Sequence, residues 1–217
     1  MSAELTVERS FTIPVKVESL PPNFVGYTEV GSFQEAAELI GKHESCLPFF
    51  DLDNTIRMQS NTLRTGRIGE IPYEAFLYMQ ERLVSGEEFV VETDQWKSGL
   101  LGKIARFMAT LRDYPFYPDS LIQAIGEERI HGRTEEMPGN KLSPERLAFS
   151  AEYIQKMSEK RPISIVPVVG DRDKDIIFAV KLAEMMPDLP FEAYKVPDPF
   201  YVVQNRRVRR IVNRLVP

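Results

Sequence analysis

Two carboxylates directly follow a short apolar run in the first third of the chain. Residues 47–50 are Leu-Pro-Phe-Phe, and Asp51, Asp53, Asn54 and Thr55 follow within five positions. Such a run is typical of a buried parallel strand, and side chains at its carboxyl end line the crevice where open α/β sheets bind ligands. Side chains two apart share a face, so these carboxylates would repel each other unless a cation lay between them. The pattern predicts a site for Mg²⁺, which prefers oxygen ligands. The alternative is an exposed turn capped by the Asp-Asn-Thr segment.

A second apolar run, residues 165–169, also ends in acidic residues. Gly170 and Asp171 follow it, and Asp175 comes four positions after Asp171. That spacing places two side chains on one face of a helical turn. The two acidic strand ends lie about 120 residues apart in the sequence, and together they could build one Mg²⁺ site.

Together these motifs resemble those of the haloacid dehalogenase-like superfamily, most of whose members are phosphatases. The family's first motif is an apolar strand followed by Asp-x-Asp-x-Thr or Val, which here is Asp51-Leu-Asp-Asn-Thr55. Its fourth motif is a strand that ends in Gly-Asp with a second Asp soon after, which here is Gly170-Asp171 and Asp175. The resemblance covers residues 47–196. It implies a three-layer α/β sandwich with a central parallel sheet, the Rossmann-like fold of this superfamily.

The resemblance also implies a covalent mechanism. Asp51 would attack phosphorus to form an aspartyl-phosphate, and Asp53 would protonate the leaving group and then activate water. Mg²⁺ would be held by the Asp51 carboxylate, the Asp53 backbone carbonyl and Asp171, with Asp175 supporting them. A phosphatase is therefore expected. The alternatives are a phosphotransferase with the same covalent step and a non-catalytic binding or scaffolding module of the same fold.

Two further residues are candidates for phosphate binding under this resemblance. The superfamily has a Ser or Thr at the end of its second strand, and Thr93 at the end of the apolar run that starts at Phe89 is the candidate. Thr93 could equally cap a helix that starts near Trp96. The superfamily also has a Lys before the helix that precedes its fourth motif. Lys141 is the candidate, three residues before Pro144, and its alternative interpretation is a solvated loop lysine.

The remaining sequence predicts strands and helices that alternate around these motifs, as in a parallel sheet covered on both faces. We expect one domain over residues 1–217, with an N-terminal extension (1–45), a catalytic core (46–197) and a basic tail (198–217). Edge strands are expected within residues 4–31, further strands at 47–51, 89–93, 129–132, 165–169 and 191–196, and helices at 33–42, 72–85, 95–112, 119–125, 144–160 and 175–186.

The segments in which many members of the superfamily carry a cap domain are short here. Residues 56–88 must supply a loop and a helix, and residues 93–141 must supply a helix, a turn and a strand. We therefore expect little or no cap, and an open site that admits a phosphate on a bulky carrier such as a phosphoprotein. A small substrate would need a partner or subunit to close over it, because an open site excludes water poorly.

Composition argues against several classes of protein. The net charge of −5, from 27 basic and 32 acidic residues, argues against general nucleic-acid binding. No stretch is apolar enough to predict a transmembrane helix, and the first residues lack the features of a signal peptide. The single cysteine, Cys46, fits a reducing compartment, so a cytoplasmic protein is expected.

The last residues, 204–217, combine arginines with apolar residues at helical spacing, namely Val208, Ile211, Val212 and Leu215. The pattern fits a terminal helix packed on the domain with its arginines in solvent. The alternative is a basic patch that contacts an anionic partner or surface. No pattern in the sequence indicates the oligomeric state.

Overall fold

A computed structural model describes residues 20–52, 55, 73–96 and 125–197 of the chain. In these ranges the chain forms six strands: β1 (Phe24–Glu29), β2 (Phe49–Asp51), β3 (Val90–Trp96), β4 (Ile130–Arg133), β5 (Val166–Gly170) and β6 (Phe191–Lys195). It also forms four α-helices: α1 (Phe33–Ile40), α2 (Tyr73–Val84), α3 (Pro144–Lys160) and α4 (Asp173–Met185). A 3₁₀ turn, Glu127–Arg129, precedes β4.

The strands form one parallel sheet in the order β1-β6-β5-β2-β3-β4. Because the strands run in the same direction, their carboxyl ends meet at one edge of the sheet. β2 lies between β5 and β3, so the two strands that end in acidic residues, β2 and β5, are direct neighbours. This topology brings the two motifs together at the same edge of the sheet.

Apolar side chains on successive strand positions enter two separate cores. Phe49 of β2 packs in the core that includes residues of α3 and α4, whereas Phe50 packs in the core that includes residues of α1 and α2. Val168 and Val169 of β5 divide in the same way, as the two-residue period of a strand requires. The sheet is thus covered on both faces, and the predicted α/β sandwich with a central parallel sheet is confirmed.

Residues assigned to the N-terminal extension contribute to the same sheet. β1 adds an edge strand beside β6, and Phe33 and Ile40 of α1 belong to one of the two cores. Ser32 caps α1, because its hydroxyl accepts a hydrogen bond from the Glu35 backbone N–H at 3.1 Å.

One predicted helix is wrong at its start. The sequence pattern predicts a helix over 95–112, but Gln95 and Trp96 continue β3. Trp96 lies opposite Arg133 of β4, so strand pairing extends β3 at this point. Residues 97–112 lie outside the described ranges, as does the predicted helix 119–125 except for its last residue. The helix predicted over 144–160 agrees with α3 at both ends.

Candidate functional site

Three aspartates converge at the carboxyl ends of β2 and β5. Asp51 is the last residue of β2, Asp171 directly follows β5, and Asp175 lies in the first turn of α4. Each offers one carboxylate oxygen, and these oxygens lie within 4.8 Å of one another. All three side chains are buried. We call these three residues the acidic cluster.

Lys141 lies between two members of the acidic cluster. Its ammonium donates to Asp51 Oδ1 and to Asp175 Oδ1. The residue is only 1% exposed, so the alternative of a solvated loop lysine is wrong. Because a buried ammonium is stable only with anionic partners, the two aspartates account for its position.

Gly170 explains how Asp175 can reach this position. A Cβ atom at residue 170 would overlap the carboxylate of Asp175. Asp175 Oδ2 also accepts a hydrogen bond from the Arg172 backbone N–H at 3.1 Å, which turns the side chain back over the start of α4. Glycine is therefore required at the end of β5, because the Asp175 carboxylate lies too close to the backbone for a Cβ atom.

The charges in the acidic cluster perturb one another. Burial raises the pKa of Asp51, the nearby Asp175 raises it further, and the Lys141 ammonium opposes both effects. Burial alone would lower the pKa of Lys141, but Asp51 and Asp175 outweigh it and raise that pKa. In the protein without a bound metal ion, Lys141 thus stays charged while Asp51 resists ionisation.

Asp94 and Lys174 also border the site, and the sequence patterns did not single them out. Asp94 Oδ1 accepts a hydrogen bond from the Lys141 backbone N–H at 2.7 Å. Asp94 Oδ2 accepts one from the Lys174 ammonium, also at 2.7 Å. The available sequence signal was an acidic residue directly after the candidate Thr93 and the predicted strand 89–93.

A buried polar network lies beside the acidic cluster on β3 and β4. Glu92, the β3 partner of Asp51 in the sheet, is paired with Arg146 of α3. Arg146 Nη2 also donates to the backbone carbonyls of Thr93 and His131, both at 3.0 Å. This guanidinium attaches the start of α3 to both strands. The sequence signal for this network was Glu92, a carboxylate within an apolar strand, because a buried charge needs a partner.

The remaining predicted site residues have different outcomes. Thr93 lies within β3, buried and one position beyond Glu92, so it does not cap a helix near Trp96. Its role in phosphate binding stays a prediction. Asp53 lies outside the described residues, as does the basic tail, 198–217. Thr55, the last residue of the first motif, is buried.

In the part of the chain that the structure describes, no helix is long and apolar enough to cross a membrane. Comparison of the chain with protein-family models, curated proteins and solved structures found no match. Its chemistry must therefore be inferred from the acidic cluster and the residues around it.

Proposed function

We propose that this chain is a Mg²⁺-dependent phosphatase of the haloacid dehalogenase type, which hydrolyses a phosphate monoester through an aspartyl-phosphate on Asp51. The observation that supports it most is the buried ammonium of Lys141 between Asp51 and Asp175. A fixed cation beside a nucleophilic carboxylate can stabilise the charge on the oxygens of an incoming phosphoryl group. A purely structural lysine would not require a third buried aspartate, Asp171, in the same place.

The donor atoms of the acidic cluster fit a hard divalent cation. Mg²⁺ takes carboxylate oxygens as ligands, and each of the three buried aspartates offers one oxygen within 4.8 Å of the others. A bound divalent cation would favour ionisation of all three carboxylates, whose combined charge would then exceed that of the one ammonium beside them and would balance the ion. Asp51 and Asp171 would hold the ion, with the Asp53 backbone carbonyl, and Asp175 would support them.

Each residue of the site would have its own role in the reaction. Bound Mg²⁺ would neutralise charge between the phosphate and Asp51. An oxygen of Asp51 would form the bond to phosphorus as the bond to the leaving oxygen breaks. Lys141 would favour the ionised form of Asp51 that this attack requires, and Thr93 would join it in binding phosphate oxygens. Asp53 would protonate the leaving group and then take a proton from the water that attacks phosphorus, while the bond between Asp51 and phosphorus breaks and returns the carboxylate.

Hydrolysis of a generic aryl phosphate, measured with Mg²⁺ and with an excess of chelator, tests the proposal. The wild-type protein should release phosphate only with Mg²⁺. Asp51→Asn should abolish turnover, because an amide cannot attack phosphorus, and Asp53→Asn should lower kcat by roughly 10²–10⁴-fold. Asp171→Ala should raise the Mg²⁺ concentration that gives half-maximal activity. Asp188→Asn is the matched control, because it removes the same charge from an exposed site.

Wild-type turnover in Asp51→Asn would exclude that residue as the nucleophile, and full activity after chelation would exclude the metal. Phosphoryl transfer to an added alcohol, in preference to water, would indicate a phosphotransferase. No turnover of any phosphate ester in a panel of phosphopeptides and metabolites would favour the binding or scaffolding module. The substrate that we propose is a phosphate on a bulky carrier, such as a phosphoprotein.

A further inference from the structure

We propose that Asp94 is a positioning residue that holds Lys141 in the acidic cluster. Its effect on catalysis rests on the proposed function, but its effect on the position of Lys141 does not. Asp94 lies near the carboxyl end of β3, one strand away from Asp51. It does not belong to the acidic cluster, and its side chain is 26% exposed.

The single carboxylate of Asp94 joins two separate segments of the site. Oδ1 accepts the backbone N–H of Lys141, in the loop between β4 and α3, at 2.7 Å. Oδ2 accepts the ammonium of Lys174 at 2.7 Å. Lys174 lies in the first turn of α4, between Asp171 and Asp175. One side chain on β3 thus links the loop of Lys141 to the turn that carries two members of the acidic cluster.

The loop of Lys141 needs such an attachment. Thr134 and Asn140 accept hydrogen bonds from residues of the same loop, which shape the loop without attaching it to the sheet. The bond from the Lys141 N–H to Asp94 connects the loop backbone directly to a strand. A lysine side chain has many rotamers, so its ammonium can stay between two carboxylates only if its backbone is held.

Asp94 is suited to this role because it is ionised. Burial alone would raise its pKa, but the hydrogen bonds from Lys174 and from the Lys141 backbone outweigh this effect and lower the pKa of Asp94. Hydrogen bonds to a charged acceptor are stronger than those between neutral groups. The contact with Lys174 therefore supports the contact with Lys141.

Chemical labelling of lysines in the metal-free protein tests the proposal without any measurement of activity. In the wild type, an acetylating reagent should label Lys141 far more slowly than Lys181, whose side chain is 48% exposed. Asp94→Ala should raise the labelling rate of Lys141 relative to Lys181 by roughly tenfold to a hundredfold, the factor expected on loss of a hydrogen bond to a charged group. Asp94→Asn retains an acceptor for the backbone N–H, and Lys174→Met retains the carboxylate, so both should raise this labelling rate much less than Asp94→Ala does.

Continued protection of Lys141 in folded Asp94→Ala would overturn the proposal. Labelling of Lys141 that is as fast in Lys174→Met as in Asp94→Ala would also overturn it. The ion pair between Asp94 and Lys174, and not the bond to the Lys141 N–H, would then hold Lys141 in place. If Asp94→Ala does not fold, hydrogen exchange of the Lys141 backbone amide in the wild-type protein tests the proposal instead. A protected amide supports the proposal, and exchange at the rate of an exposed amide contradicts it.

Kinetics separate this proposal from the proposed function. In an active enzyme, Asp94→Ala should lower kcat by about tenfold or more, since misplacement of a charged group weakens transition-state binding, and Asp94→Asn should recover most of that loss. If the labelling results agree with the proposal but the wild type hydrolyses no phosphate ester, Asp94 positions Lys141 and the phosphatase proposal fails.

Discussion

Gly170 is the residue that sets how closely Asp175 approaches the end of β5. Because a Cβ atom there would overlap the Asp175 carboxylate, Gly170→Ala should push Asp175 away from Lys141. We expect a loss of activity of roughly tenfold to a hundredfold, as for a small displacement within a catalytic site. The matched control is Gly31→Ala, whose Cβ would meet the flexible end of Glu35 at 3.2 Å. Equal activity of the two variants would contradict this account.

Asp51 should make the stability of the metal-free protein depend on pH. Its pKa is raised in the fold, chiefly by burial, above its ordinary value of 3.8. Above that ordinary value the folded state holds a proton that the unfolded state has released, so stability falls as the pH rises toward the raised pKa. Asparagine has no such proton. The stability of Asp51→Asn relative to the wild type should therefore rise with pH in this window, by at most about 1.4 kcal/mol for each pH unit.

Urea unfolding of both proteins in chelator, at pH 5 and pH 8, measures this effect. Asp188→Asn removes the same charge from an exposed site and should show no such trend. A difference in stability between Asp51→Asn and the wild type that is the same at both pH values would mean that ionisation of Asp51 is not opposed by the fold. The same substitution would then still report on catalysis, because the nucleophile is lost in either case.

At the scale of elements, Asn23 connects the chain before β1 to the end of α4. Its side-chain amide lies 2.7–3.1 Å from the backbone carbonyls of Ala183, Met186 and Leu189. Carbonyls at a helix end lack partners within the helix, so a side-chain donor there satisfies them. Asn23 thus holds α4, which carries Asp175 at its other end, against the first strand.

Asn23→Ala should lower the free energy of unfolding by about 1–3 kcal/mol, because it leaves partly buried carbonyls without this donor. Chemical denaturation would measure the change. Gln34→Ala is the control, since it removes an exposed amide that bonds to the neighbouring turn at Glu38, and it should change stability by less than about 0.5 kcal/mol. Similar effects of the two substitutions would exclude a special role for Asn23.

At the scale of the whole molecule, the parallel sheet assembles the site from four segments. Asp51 ends β2, Asp94 lies on β3, Lys141 comes from the loop before α3, and Asp171 and Asp175 follow β5. Crossover connections separate these segments in sequence but return each strand end to the same edge of the sheet. The site thus depends on the pairing of β5, β2 and β3 and on the position of the loop before α3.

The expected access to the site also belongs to this scale. If residues 56–88 and 93–141 contain little or no cap, large phosphorylated carriers can reach the acidic cluster, and remote contacts with them can stabilise the transition state. Values of kcat/KM for phosphotyrosyl or phosphoseryl peptides should then equal or exceed those for sugar phosphates and nucleotides. A monomeric enzyme with a strong preference for one small metabolite would instead indicate a real cap.

Local patterns in the sequence determined much of the fold and part of the site. The apolar runs before Asp51 and before Gly170-Asp171 located two strand ends, and the helix predicted from Pro144 onwards located α3 at both ends. Those patterns depend on neighbours within a few residues, which is the range over which strand and helix periods act. They were sufficient to predict that Asp51, Asp171 and Asp175 come together, because carboxyl ends of parallel strands share one edge.

Only the tertiary structure decided which distant residues complete the site. The extension of β3 through Trp96 depends on its pairing with β4, and the partner of the buried Glu92 comes from α3. The ammonium of Lys141 lies between Asp51 and Asp175, and its backbone N–H bonds to Asp94. These contacts join residues 34 to 90 positions apart. No local period specifies them, because they depend on which strands are neighbours and on how each loop returns to the sheet.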